Sequence, residues 1–171
     1  MCFEIRVIEG DPLAVPADVL VSPWTTNWIP WWMLNHMGLQ GEVRLRGGDE
    51  PYRELRRAGR LAHGGAFQTS AGTLPFRGII HVALTNLLMS SSEAVVTRAI
   101  ENAVGLATRS HHKTLCVPVM IVPRLTREQS LDFNVQAFER LRPSMGVTVV
   151  TYSTKYLRHL RRPYRKGWAE R

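Results

Sequence analysis

The sequence predicts an α/β fold in which a mostly parallel sheet is covered by helices. Three observations lead there. Short, almost wholly apolar runs suit strands buried on both faces, amphipathic helices of full length separate them, and the second half of the chain runs β-α-β-α-β. With 171 residues, 44% of them hydrophobic, the chain can bury one core of ordinary size without disulfide or metal staples.

The elements follow in order. Phe3-Glu4-Ile5-Arg6-Val7-Ile8 alternates as a strand does, and Gly10-Asp11-Pro12 breaks it. Asp18-Val19-Leu20-Val21-Ser22 is a short apolar run suited to a buried strand. Glu50 to Arg57 reads as a polar, exposed helix that ends near Gly59. Gly65 to Thr69 and Gly78 to Leu84 read as strands. Ser90 and Glu93 offer a capping box for a helix whose Val96, Ile100, Ala103, Val104 and Ala107 fall on one face. Leu115 to Val122 is another strand. Thr126 and Gln129 repeat the capping pattern before a helix lined by Leu131, Val135, Phe138 and Leu141, and Val147 to Tyr152 closes the set. One domain over residues 1–152, followed by a basic segment over 153–171, is the expected organisation.

Charge separates those two parts. The chain carries 22 Lys+Arg against 14 Asp+Glu, a net charge of +8. Lys155 to Arg171 holds seven basic residues and one acid, a net of +6, so the rest of the chain carries only +2. Such a segment attracts phosphates without specifying which. Tyr156, Tyr164 and Trp168 interleave its cations, as in single-strand binders, so nucleic acid binding through Lys155–Arg171 stands beside the plain reading of a solvated terminal helix.

Several classes are excluded or disfavoured. No apolar run approaches the ~20 residues of a membrane helix, and the N-terminus lacks a secretion signal. Cys2 and Cys116 have no metal-ligand or CxxC spacing, which fits a reduced, cytoplasmic protein. His111-His112 has no carboxylate or thiol at ligand spacing, so neither metal nor cofactor is expected. No Walker loop, GxGxxG or GxSxG occurs.

Three ordered pieces resemble the macro domain, the ADP-ribose-binding module. They are Gly10-Asp11-Pro12-Leu13 with the strand Ala17 to Val21, then Gly65 to Pro75 with Ile79-Ile80-His81-Val82, and then the helix Ser92 to Thr108 with Leu115-Cys116-Val117-Pro118. The resemblance covers roughly residues 3 to 152. It implies a three-layer α/β/α sandwich around a six-stranded mixed sheet, binding ADP-ribose or a related adenine nucleotide and, in divergent form, hydrolysing ADP-ribosyl bonds. Asp11 matches the position that accepts a hydrogen bond from the adenine amino group; a carboxylate there accepts only. As a residue in its own right, Asp11 also reads as an ordinary turn former. Pro12, Ser22, Trp24, Gly38, Val122 and Arg124 line the implied ligand loops.

The departures fall in the loops that carry the family's chemistry. Ser22-Pro23-Trp24-Thr25 stands where active hydrolases have Asn-Ala-Ala-Asn, and only Gly38 remains of a glycine triplet. Gln40 replaces an aspartate two residues after the last glycine and cannot act as a base. Ile121-Val122-Pro123-Arg124-Leu125 replaces a glycine-rich phosphate loop, and Arg124 reads either as a charge in place of its amides or as an ordinary exposed loop residue just before a helix cap. Asn35 and His36 are the nearest polar candidates for chemistry. Trp24, Trp28, Trp31 and Trp32 crowd one loop as a stacking wall, a protein interface or a plug over the cleft.

Overall fold

The computed structural model describes residues 3–25, 38–85 and 91–151. In chain order they form β1 (Glu4–Glu9), a single 3-10 turn (Pro12–Ala14), β2 (Val19–Thr25), α1 (Gly38–Gly47), α2 (Glu50–Ala58), β3 (Ala66–Thr69) and β4 (Gly78–Thr85). There follow α3 (Glu93–Arg109), β5 (Thr114–Pro118), α4 (Arg127–Leu141) and β6 (Gly146–Thr151). The six strands make one sheet in the order β1-β6-β5-β2-β4-β3, with every neighbouring pair parallel except β3 against β4. The expected six-stranded mixed sheet between helix layers is the observed one.

Alternation along the strands assigns the two faces. Val19, Val21, Ile80, Val82, Leu115, Val117, Val147 and Val149 meet α3 and α4, whose Val96, Ile100, Ala103, Leu131 and Phe138 complete one core. Leu20, Ile79, Cys116 and Val150 point the other way, towards Leu13 of the 3-10 turn, Val43 of α1 and Tyr52 of α2. Val19, Leu20 and Val21 have no exposed surface at all. Full burial on both faces is what a central parallel strand under two helix layers demands.

The boundaries differ from expectation where a local partner decides them. Ser92, not Ser90, caps α3: its hydroxyl accepts the Val95 N–H at 3.3 Å, and Glu93 is already helical. Ser90 lies outside the described residues. The capping box of α4 forms as expected, with Thr126 Oγ1 accepting from Gln129 N–H and Gln129 Oε1 accepting from Thr126 N–H. Its Leu141, expected on the inner stripe, is exposed at the last turn. β5 stops at Pro118, four residues short of the expected end: the Val119 amide still reaches Val150 O of β6 at 3.0 Å, but the Met120 and Val122 amides turn to Asn134 and Ser130 of α4. α2 spans Glu50–Ala58 and is not wholly exposed, for Pro51, Tyr52 and Leu55 are buried.

α1 was not anticipated. Gly38, Gly41 and Gly47 lower its helical propensity, and tertiary contacts hold it instead. Its last carbonyls are met from the turn before β4: Thr73 Oγ1 donates to Arg46 O at 2.8 Å and Thr73 N–H to Gly47 O at 3.1 Å. That approach requires Gly72, which sits at φ +59° with an imagined Cβ only 1.8 Å from the Gly47 oxygen. Gly72→Ala is expected to destabilise the fold by about 3 kcal/mol or more, since the clash and the backbone conformation act together. Denaturant unfolding of the variant against wild type measures it; a change below 1 kcal/mol would show that the turn yields freely.

Candidate functional site

Five parallel strands bring their carboxyl ends to one edge of the sheet, and β2 and β5 part there. Their pairing covers only Val19↔Leu115 and Leu20↔Cys116, although β2 runs on to Thr25 and β5 to Pro118. A crevice at the carboxyl ends, between strands whose connections leave in opposite directions, is where open α/β sheets take ligands.

Asp11 stands on this edge, next to β6. Gly10 N–H donates to Thr151 O at 3.0 Å, tying the end of β1 to the end of β6. Asp11 then caps the 3-10 turn, its Oδ1 accepting from Leu13 N–H at 2.9 Å. Its Oδ2 pairs with Arg46 Nη1 of α1 at 2.5 Å, and both side chains remain nearly half exposed. Burial alone would raise the Asp11 carboxyl, but the Arg46 hydrogen bond, the Leu13 N–H and the Arg46 charge outweigh it and hold the group below the usual carboxylate range. The residue is therefore ionised at neutral pH and accepts without donating. Pro12 is buried, and its carbonyl takes a 3.4 Å contact from the Cys116 thiol. Burial pushes that thiol up to about 12, so it is no nucleophile near neutrality.

At the end of β2, Ser22 is fully buried, its hydroxyl without a partner among the described residues. It belongs to the packed interior rather than to an open wall. Trp24 is half-buried against Tyr52, with ring centroids 5.9 Å apart, and edge-on to His81 at 6.2 Å. His81 is wholly buried, bonds Thr69 Oγ1 through Nε2 at 3.0 Å, and is lowered by burial to about 4, hence neutral. Gln40 Nε2 donates to Pro23 O at 2.5 Å, and Tyr52 Oη donates to Gln40 O at 2.7 Å. These bonds fix the first turn of α1, which begins at Gly38, beside the end of β2. Asn35 and His36, with Asn27, Trp28, Trp31 and Trp32, lie outside the described residues.

On the β5 side of this parting, the β5–α4 loop is held by two side chains of α4. Asn134 accepts from Met120 N–H at 3.1 Å and donates back to Met120 O at 2.8 Å, and Ser130 Oγ accepts from Val122 N–H at 3.1 Å. Val122 is buried and its amide is committed, so this residue supports the loop from inside. Pro123 has no N–H to offer. Arg124 is exposed and held at φ +69°, a conformation that ordinarily selects glycine. Sequence reading missed Arg46, Tyr52, Ser130 and Asn134. The last two carried a signal: polar residues four apart on a helix face otherwise built of Leu131, Val135 and Phe138. Among the described residues no cluster of His, Cys, Asp or Glu could hold a metal ion, and no helix is long and apolar enough to cross a membrane. The Lys155–Arg171 segment lies outside the described residues.

A family model described as the Macro domain matches residues 32–122. An uncharacterized protein of Aquifex aeolicus (strain VF5) is 32% identical over 148 residues, covering 80% of this chain and 84% of that protein. Among solved structures, a variant of the Oceanobacillus iheyensis macrodomain with ADPR superposes with a TM-score of 0.68 at 18% identity, over 89% of this chain and 87% of that one. The macrodomain of Mycobacterium tuberculosis DarG gives 0.69 at 18% identity, over 87% and 98%. The Trypanosoma brucei macrodomain in complex with ADP gives 0.71 at 13% identity, over 91% and 66%.

The neutral, buried His81 makes stability depend on pH. Its folded value lies below the ordinary histidine value of 6.5, so the unfolded chain binds the proton more readily and folding weakens as pH falls through that interval. Between pH 6.5 and 4 wild type is expected to lose roughly 3 kcal/mol relative to His81→Gln. Parallel unfolding curves for the two proteins across this range would refute the assignment of a neutral ring.

Proposed function

We propose, from the premise that the chain belongs to the macro domain family, that it binds ADP-ribose or a closely related adenosine diphosphate compound. The ligand would lie along the carboxyl edge of the sheet, with its adenine at Asp11. One observation carries this reading: an ionised, half-exposed carboxylate is fixed beside the ends of β1 and β6 by Arg46 and the Leu13 amide. An ionised carboxylate has about four acceptor positions on its two oxygens, so those two bonds leave room for the exocyclic amino group of adenine. That two of the similar structures hold ADPR and ADP supports the same class of ligand.

The diphosphate would lie in the opening between β2 and β5, near the first turn of α1 at Gly38 and the exposed Arg124. Helix amides and a guanidinium both suit phosphate oxygens. Pro12 and Val122 act from behind, positioning Asp11 and the loop. Ser22 underlies the crevice, and Trp24 offers the edge of a ring beside it.

Binding is better supported than hydrolysis. Gln40, in the place of a catalytic carboxylate, is an amide spent on Pro23 O. The finer reading, in which Asn35 and His36 cleave an ADP-ribosyl bond, rests on their place in the sequence. Incubation with a mono-ADP-ribosylated protein tests it: release of ADP-ribose that disappears in both Asn35→Ala and His36→Ala would establish it.

Two further measurements test the binding reading. Calorimetry is expected to show ADP-ribose bound at least tenfold more tightly than its inosine counterpart, whose ring carbonyl meets an acceptor instead of a donor, and to show that preference abolished in Asp11→Ala. Equal affinities in wild type would remove Asp11 from the site. Arg124→Gly is expected to weaken ADP-ribose by about tenfold, the worth of one charge-assisted bond, while stability stays within about 1 kcal/mol of wild type because glycine tolerates the conformation. Undiminished affinity would exclude Arg124 from phosphate contact.

A further inference from the structure

Arg46 is set beside Asp11 by the anchored end of its helix. The last carbonyls of α1 are held from the turn before β4, Arg46 O by Thr73 Oγ1 at 2.8 Å and Gly47 O by the Thr73 N–H at 3.1 Å. From that fixed backbone the side chain crosses 35 positions of sequence and places Nη1 2.5 Å from Asp11 Oδ2. A guanidinium carries five N–H donors in a planar fork. Among the described residues, the bond to Asp11 is the one that the Arg46 side chain makes. With 40% of the Arg46 side chain and 45% of the Asp11 side chain exposed, the pair keeps both donors and acceptor positions open to a ligand.

The turn that carries Asp11 has no amide to lend on its far side. Pro12 lacks an N–H. The Leu13 N–H is spent on Asp11 Oδ1 at 2.9 Å, and the Ala14 N–H on Asp11 O at 3.0 Å. On the near side, Gly10 N–H is spent on Thr151 O at 3.0 Å. Adenine nevertheless presents two polar groups on its Watson–Crick edge, an amino group that donates and a ring nitrogen, N1, that accepts. A carboxylate satisfies only the first. A ligand nitrogen taken from water without a donor loses the worth of its hydrogen bond. The amino nitrogen and N1 are attached to one carbon, so their separation is close to that of Asp11 Oδ2 and Arg46 Nη1. N7 hangs from the next carbon and lies further off. A carboxamide grips adenine on the same logic, with an oxygen and a nitrogen side by side.

We propose that Arg46 is a second base-reading residue, its guanidinium donating to adenine N1 while Asp11 accepts from the amino group. The ion pair then works as a wide carboxamide, one oxygen and one nitrogen turned to the same edge of the base. It carries no net charge, so it reads the base without drawing phosphate to itself. Hypoxanthine offers a carbonyl and an N1–H in the same places, and both contacts are reversed. The inference rests on the placement of adenine at Asp11 proposed above, and it adds the residue that senses N1.

Calorimetry with ADP-ribose and two analogues, in which a C–H replaces N1 or N7, tests this directly. Wild type is expected to bind the 1-deaza compound about tenfold or more weakly than ADP-ribose, the worth of one hydrogen bond to a charged group, and the 7-deaza compound within about threefold. Arg46→Met keeps the aliphatic stem and removes the donors. In this variant the 1-deaza penalty is expected to fall to within about twofold, whatever happens to overall affinity. The ratio is taken within one protein, so a misplaced Asp11 weakens both ligands alike and leaves the ratio unmoved. Equal affinities of wild type for ADP-ribose and the 1-deaza compound, or a full penalty retained in Arg46→Met, overturn the role of Arg46 and leave adenine at Asp11 standing. Loss of all binding in Arg46→Met makes the residue a support for Asp11 and overturns the donor role as well. Failure of wild type to bind ADP-ribose overturns both readings together.

Discussion

The parting of β2 from β5 is the constraint on which the site depends. Parallel strands satisfy each other's amides only while they stay in register. Here the register ends after Leu20↔Cys116, and each strand then finds other partners. β2 continues along β4 to the level of Thr85, and β5 follows β6 to Pro118↔Val150. The backbone groups that would have closed the gap are met elsewhere: Pro23 O by Gln40, Met120 by Asn134, and Val122 by Ser130. An opening in a buried sheet is stable only with such substitutes, because an unpaired backbone group away from water costs about as much as a lost hydrogen bond. The parting of the two strands is thus supported by side chains of α1 and α4.

The same bonds decide what the far side of the crevice can offer. A glycine-rich loop would turn its amides outward as an anion nest. In this chain two of the amides between Met120 and Val122 turn inward to α4, and Pro123 lacks one. What remains outward is the guanidinium of Arg124, presented from a left-handed backbone position. Such a position costs of order 1 kcal/mol for a non-glycine residue; the Leu125 N–H bond to Val122 O, 3.2 Å long, closes the turn in which it occurs. In place of a run of neutral donors the loop offers one exposed charge, and a charge selects anions with less regard to shape and more dependence on salt.

Much of this architecture was legible because a buried residue has one reading. Val19 to Val21 are apolar without alternation, and the structure buries both faces. The α3 stripe from Val96 to Ala107 repeats at helical spacing and is the stripe that packs. The Thr126–Gln129 box is a local motif and forms locally. What escaped the sequence was decided at a distance. α1 has three glycines and is held by Thr73, some thirty positions on, and by Tyr52. The polar run Glu50 to Arg57 hides the burial of Tyr52 and Leu55 because its charges occupy the remaining positions. Asp11 was legible as a carboxylate after a strand, whereas its partner Arg46 was not, since no local rule links residues 35 positions apart.

That distant partner changes what Asp11 can do. An isolated carboxylate at a half-exposed turn titrates near pH 4 and is free to rotate. With Oδ1 on the Leu13 amide and Oδ2 on Arg46, both oxygens are held in one orientation and the proton is disfavoured by a neighbouring positive charge. Arg46 belongs to the last turn of the helix that starts at Gly38, and Asp11 to the turn that starts beside β6. One ion pair therefore ties the carboxyl end of β1 to α1. Under the ligand placement proposed above, the adenine acceptor and the helix nearest the diphosphate are joined through that pair, and nucleobase preference and phosphate binding would not be independent contacts.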